Sequence, residues 1–290
     1  MATQDKLDGL IDLHRARLIE SLYTLENGII DAIALGKDQT LTVQVAIAKR
    51  DELKRIIEST YLVAVDANIR EYETIVDIVR QDFKNLDINP AFKMFDKQDM
   101  IVIANLKRII FEQFREAGTT IEKALQQEIY SSALANRPFK DMVDNIRNTI
   151  MGVYSGDTPE VIRLRKLFEK NRGNAIGEKI RQKLHGHHAA RVSKGSLYSH
   201  ATQISHDGIM EFHGQTTIFK SEKAGLTKFK YRGSVIGTSR PFCKRHAGKV
   251  FNKDEIRRIW KSNSWEGKKP GDPFIVRGGY NCRHHWRPIV

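Results

Sequence analysis

The sequence predicts an α+β chain: a mostly α-helical N-terminal region followed by a small C-terminal α+β domain held together through cysteines and histidines. Three observations carry this reading. Apolar residues recur at helical spacing through the first half, the period shortens to strand-like alternation from residue 216, and both cysteines fall near the C-terminus with histidines beside them.

Leu18, Leu22, Leu25 and Ile29 form the stripe of a first helix, which Gly36 is placed to cap. Leu53, Ile57, Tyr61, Val65, Ile69, Tyr72, Val76, Val79 and Phe83 recur at steps of four and three with charged residues between them, and predict one long amphipathic helix. Ile103, Leu106, Ile110, Ala117, Ile121 and Leu125 mark a third helix, and Phe139, Met142, Ile146 and Ile150 a fourth that ends near Gly152. Apolar faces of this kind are buried against one another in a bundle or against a partner protein, and the spacing is compatible with both.

Charge is distributed unevenly. Residues 1–159 hold 20 Lys+Arg against 25 Asp+Glu, whereas residues 160–290 hold 28 against 10, within a net charge of +13 for the chain. The second half attracts polyanions such as double-stranded DNA through counterion release, without reading sequence, and the first half gains little from them. A Lys/Arg surface kept for solubility accounts for the same numbers. The sign changes around the stretch MGVYSGDTPE, 151–160, where Thr158 can cap a helix with Pro159 in its first turn. The boundary is therefore set between an acidic helical region, 1–155, and a basic region, 156–290. The latter is helical over 156–213, with interruptions at 171–174 and around Gly186, before a small α+β unit over 216–290. His185, His187 and His188 do not share one helical face and are read as exposed.

Several classes are set aside. No apolar run approaches the length of a membrane span, and the N-terminus lacks the basic-then-apolar order of a secretory signal, so reduced thiols are the expectation. Neither a Walker loop nor a dinucleotide glycine pattern is present, so no small-molecule substrate is expected.

In the C-terminal unit, Thr227, Phe229 and Tyr231 alternate with Lys228, Lys230 and Arg232, which predicts a half-buried strand with a basic outer face. Asn252 and Glu255 have the spacing of a capping box for a helix carrying Ile256, Ile259 and Trp260. Asp272-Pro273, the FIV run and Gly278-Gly279 predict a loop, a brief strand and a tight turn. A unit with so few core residues often needs a staple. Cys243 with His246 forms C-x2-H, and Cys282 with His284 forms C-x-H with His285 adjacent, so two short loops can each supply two donors to a structural zinc ion. Separate buried residues, a disulfide, or a Cys-His or zinc-assisted catalytic centre use the same residue types.

These stretches resemble one family, the phage head-morphogenesis proteins typified by the Mu protein F-like minor head proteins. The resemblance spans roughly 189–290, through ARVSKGSLYSHATQISHDGIMEFHG, TSRPFCKRHAGKVF and GGYNCRHHWRP in the family order. Many members close in N-C-R-C where this chain has Asn281-Cys282-Arg283-His284, an exchange of one zinc ligand for another. His246 matches no typical family position, which leaves the fourth ligand between His246 and His285. The resemblance implies a non-enzymatic minor head protein of a tailed phage or prophage, made in the host cytoplasm and placed inside the virion head near the portal vertex. It implies portal protein and other head proteins as partners, and a part in head morphogenesis and in DNA packaging or delivery. Lys228, Lys230, Arg232, Lys244, Arg245 and Arg283 are the residues expected to neutralise DNA phosphates. The alternatives are a zinc-dependent or histidine-based DNA nuclease, or a cellular DNA-binding module.

Overall fold

In the first helix, α1 (Thr3–Ile33), the stripe residues Leu18, Leu22, Leu25 and Ile29 are fully buried, so the chain covers this face with itself. The computed structural model describes residues 3–34, 41–152, 159–171, 174–177, 179–180, 183 and 196–290. Gly36, Thr158, Gly186, His185, His187 and His188, on which expectations were placed, lie outside the described residues.

A short α2 (Val43–Ala48), capped by Thr42, precedes the long apolar stripe. The helix expected over 53–83 is present as consecutive segments: α3 (Arg50–Ile57), a wider π-turn (Glu58–Leu62), α4 (Val63–Arg70) and α5 (Tyr72–Lys84). The stripe itself explains the π-turn. Leu53, Ile57, Tyr61, Val65 and Ile69 step by four, ahead of the 3.6-residue period, and a wider turn lets all five stay buried. The Ser59 and Thr60 hydroxyls donate to the Ile56 carbonyl, competing locally with the backbone ladder. Beyond these lie α6 (Lys97–Leu134), α7 (Phe139–Met151) and α8 (Pro159–Lys170), with α7 ending at Gly152 in a positive-φ conformation as its spacing predicts.

The change of period expected from residue 216 comes later. Helix α9 (Leu197–Lys223) continues through it and ends where Gly225 adopts a positive φ and Leu226 donates to the Ser221 carbonyl. Its last turns hide polar side chains, with Thr216, Thr217, Lys220 and Ser221 all buried, so no apolar stripe advertises the helix. Lys220 is satisfied by the Asp99 carboxylate and the Met94 carbonyl and lies over the Phe95 ring.

The chain divides into two compact units, and they do not follow the expected division at 155/156. One comprises Met1–Leu18, Val63–Arg115 and Thr202–Val290; the other comprises Ile19–Leu62 and Glu116–Ala201. Helical segments well separated in sequence pack together in both, so each unit draws on both sides of the expected boundary. In the second unit Leu22, Leu25, Ile29, Leu53, Ile57, Tyr61, Leu125 and Ile146 are buried. In the first unit the acidic and basic halves pair: Asp8 and Asp12 with Arg283, Asp82 with Arg287, Asp99 with Lys220 and Lys223. Part of the charge asymmetry is thus neutralised by folding.

The first unit also holds an antiparallel sheet in which β1 (Lys228–Arg232) lies between β2 (Val250–Asn252) and β3 (His285–Ile289). Phe229 faces Phe251 and Pro288, and Tyr231 faces Trp286. Helix α10 (Pro241–His246) precedes β2, and α11 (Lys253–Ser262) follows it with the expected Asn252–Glu255 capping box formed. The FIV run is not a strand. Asp272 caps Phe274 and Pro273 occupies the first turn of a short helix, α12 (Pro273–Val276). Phe229, Tyr231, Phe242, Ile256, Trp260, Phe274 and Trp286 pack into one aromatic-rich core that encloses both cysteines.

Candidate metal centre

Two local structures deliver the members of the centre. Proline at the start of α10 and the Arg240 carbonyl bonded by Lys244 fix the helix that carries Cys243. Cys282 and His284 come from the segment between the 276–279 turn and β3. That turn is closed by Gly279 donating to the Val276 carbonyl, with Arg277 at φ 54 and ψ −116. A non-glycine residue is strained there, and Arg277 is held by its own side chain. Its fully buried guanidinium donates to the carbonyls of Ile275 and Cys282 and lies 3.7 Å from Asp207, whose carboxylate accepts from the Asn281 amide.

These supports bring Cys243, Cys282 and His284 together, with all three ligand atoms within 4.8 Å of one another and all three side chains buried. The sulfurs are 3.7 Å apart, and Cys282 Sγ is 3.8 Å from His284 Nδ1. Two sulfurs about 2.3 Å from a tetrahedral zinc ion stand about 3.8 Å apart, so the spacing already matches the span across such an ion. This buried Cys2His group can hold a metal ion.

Two glycines make the room. A Cβ at Gly278 would lie 2.5 Å from Cys243 Sγ and 2.7 Å from Cys282 Sγ, and one at Gly233 would lie 2.6 Å from the His284 ring. The Tyr231 hydroxyl sits 3.5 and 3.6 Å from the two sulfurs, and its ring stacks on His284. The hydrogen bond from Cys243 pushes the Cys282 thiol well down, aided by His284 and Arg277, while the same bond and burial push the Cys243 thiol up. Burial and the two sulfurs push the Tyr231 phenol up, which keeps it an O–H donor.

The other two expected ligands are elsewhere. His246 is buried between Phe242 and Phe251, ring centroids 4.6 and 5.4 Å away, and lines a neighbouring pocket of about 750 Å³ with Arg245 and Trp265. His285 opens β3, and strand alternation turns it away from His284: its Nδ1 meets Gln4 Oε1 at 3.1 Å and its ring meets His213 edge-on. Among the described residues, no fourth His, Cys, Asp or Glu joins the group. Gly278, Gly233, Tyr231, Arg277 and Asp207 were not singled out from sequence as parts of the site. Only the Gly278-Gly279 pair beside Cys282 gave any local signal of a close approach.

The expected phosphate-neutralising residues divide by environment. Lys228, Arg232, Lys244 and Arg245 are exposed, Lys230 is half-buried, and Arg283 is exposed but paired with Asp8 and Asp12. Lys244 also donates to the Gly237 carbonyl. No helix among the described residues is long and apolar enough to cross a membrane. No protein-family model matches the chain, and no curated protein or solved structure matches it either.

Proposed function

We propose that this chain is a zinc-stapled minor head protein of a tailed phage or prophage, acting in head morphogenesis and DNA packaging or delivery by binding. The carrying observation is convergence. R-P-F-C and N-C-R-H, the stretches on which the family resemblance rests, lie 39 residues apart at their cysteines and meet as a buried Cys2His group. Two thiolates and an imidazole suit zinc, which joins the α10 loop to the closing strand.

In this reading the protein sits inside the head near the portal vertex, with the portal and other head proteins as partners. Lys228, Lys230, Arg232, Lys244, Arg245 and, more weakly because of its acidic partners, Arg283 neutralise DNA phosphates without reading bases. Two assays test it together. Co-expression with the portal protein of the same genome is expected to give a complex that co-purifies, and duplex DNA of unrelated sequences is expected to bind equally with an affinity that falls steeply with salt. Sequence-selective binding with no portal complex would instead favour a cellular DNA-binding module.

The second reading is a zinc-dependent DNA nuclease. It is favoured by one observation, a donor set of three protein ligands beside a cavity. Metal-dependent plasmid cleavage that disappears in His284→Ala distinguishes it from the binding role.

A further inference from the structure

Tetrahedral zinc takes four ligands, and three converge at the centre. The Tyr231 hydroxyl lies 3.5 and 3.6 Å from the two sulfurs, and its ring is stacked on His284 with an interplanar angle of 17°. The hydroxyl is within hydrogen-bonding reach of both sulfurs. His246 and His285 are held in other contacts.

A cavity of about 380 Å³ reaches the same place. Cys243, Cys282 and His284 all line it, together with Ser239, Asn281, Arg240 and Arg283. Arg240 donates to the carbonyls of Glu266 and Tyr280, and Arg283 pairs with Asp12 and with Asp8, which also lines the cavity. We infer that the fourth position of the metal belongs to an oxyanion from outside the chain, of the phosphate-ester class, which enters through this cavity. Sites closed by four protein donors are structural, whereas three donors and an accessible side characterise sites that exchange a ligand. A hard anionic oxygen satisfies the metal, and the Arg283 guanidinium, the Ser239 hydroxyl and the Asn281 side-chain amide suit the remaining oxygens. The inference rests on the metal reading given under Proposed function and deepens it, because a DNA phosphate or a free phosphate presents this chemistry.

The test loads the full chain with Co²⁺ and titrates it with inorganic phosphate. Near-ultraviolet sulfur-to-cobalt bands report the thiolates, and visible d–d bands report the rest of the coordination sphere. The expected result is a saturable shift of the d–d bands with the sulfur bands retained. Tyr231→Phe is expected to keep both the starting d–d spectrum and the response, and Arg283→Ala to raise the phosphate midpoint several-fold. Indifference of the d–d bands to phosphate overturns the inference while leaving the metal reading standing, as does a Tyr231→Phe protein that has lost a ligand before phosphate is added. An unchanged midpoint in Arg283→Ala removes the assignment to an oxyanion held by the cavity wall. Absence of sulfur bands overturns the metal reading itself, and the inference with it.

Discussion

Cys243 and Cys282 hold their sulfurs 3.7 Å apart inside an aromatic core, with His284 Nδ1 3.8 Å from the second of them. A metal ion that binds there adds a direct link between two loops otherwise joined by side-chain packing and the Arg240–Tyr280 hydrogen bond, so its binding energy is folding energy for this region. Purified native chain is expected to contain one zinc per molecule by elemental analysis. Cys282→Ser should lose the metal and melt at a clearly lower temperature, and a chelator should shift the native protein toward the same melting point.

Gly278 is required for space. Its φ is not in the left-handed region, but a methyl group there would collide with both sulfurs. Gly278→Ala is expected to lower zinc stoichiometry and to cost about 1–3 kcal/mol, the range for overpacking a filled core, as read by denaturant unfolding. Gly237→Ala, where a Cβ meets nothing within 4 Å, serves as the control and should leave both unchanged.

The Lys220 ammonium and the Asp99 carboxylate are buried 2.7 Å apart at 1% and 0% side-chain exposure. Burial pushes the Asp99 carboxyl up, but the hydrogen bonds from Lys220 and Lys223 outweigh it and hold the carboxyl below its ordinary range. Removing one partner strands the other, so Asp99→Leu alone is expected to destabilise by about 3–5 kcal/mol. The double variant Asp99→Leu/Lys220→Met should recover most of that loss. A double-mutant cycle in urea would show this as strong positive coupling.

Acid sensitivity follows from buried neutral histidines. Burial pushes His14 down to about 4 against the opposing pull of Glu71, and pushes His213 down to about 3 with Arg277 adding to it. The unfolded chain takes up these protons near 6.5, so the stability they confer is complete above about 6.5 and is lost as pH falls toward 4 and then 3. For His14 the loss is about 3 kcal/mol. Unfolding free energy measured from pH 7 to pH 4 should decline over this window. Neither ring nitrogen of His213 has a hydrogen-bond partner among the described residues, so His213→Leu should be neutral or stabilising at pH 7 and should flatten the decline.

DNA binding should separate the exposed cations from the paired one. Each phosphate contact removed lowers the salt slope by about 0.9, so Lys244→Ala/Arg245→Ala should reduce the slope of log affinity against log salt by up to about 2. Arg283→Ala should change it less, because Asp8 and Asp12 already offset that charge. Fluorescence anisotropy with a labelled duplex across a salt series reads both, and equal slopes for the two proteins would remove the assignment of Lys244 and Arg245.

By itself the sequence determined the class of most elements and the candidate donors. The stripes at Leu18–Ile29 and Leu53–Phe83, the Asn252–Glu255 cap and the alternation around Tyr231 are local patterns, and each sets a helix or strand through contacts a few residues apart. It could not set the end of α9, because Thr216, Lys220 and Ser221 are polar yet buried, and Lys220 is satisfied there by Asp99, more than a hundred residues away. The division into units was likewise decided by long-range packing, which draws helices from both sides of the charge boundary into each. At the centre, spacing named four or five possible ligands, and only the tertiary structure chose among them. Strand alternation sends His285 toward Gln4, aromatic packing captures His246, and the Arg277 brace and the clearance at Gly278 leave Cys243, Cys282 and His284 within reach of one ion.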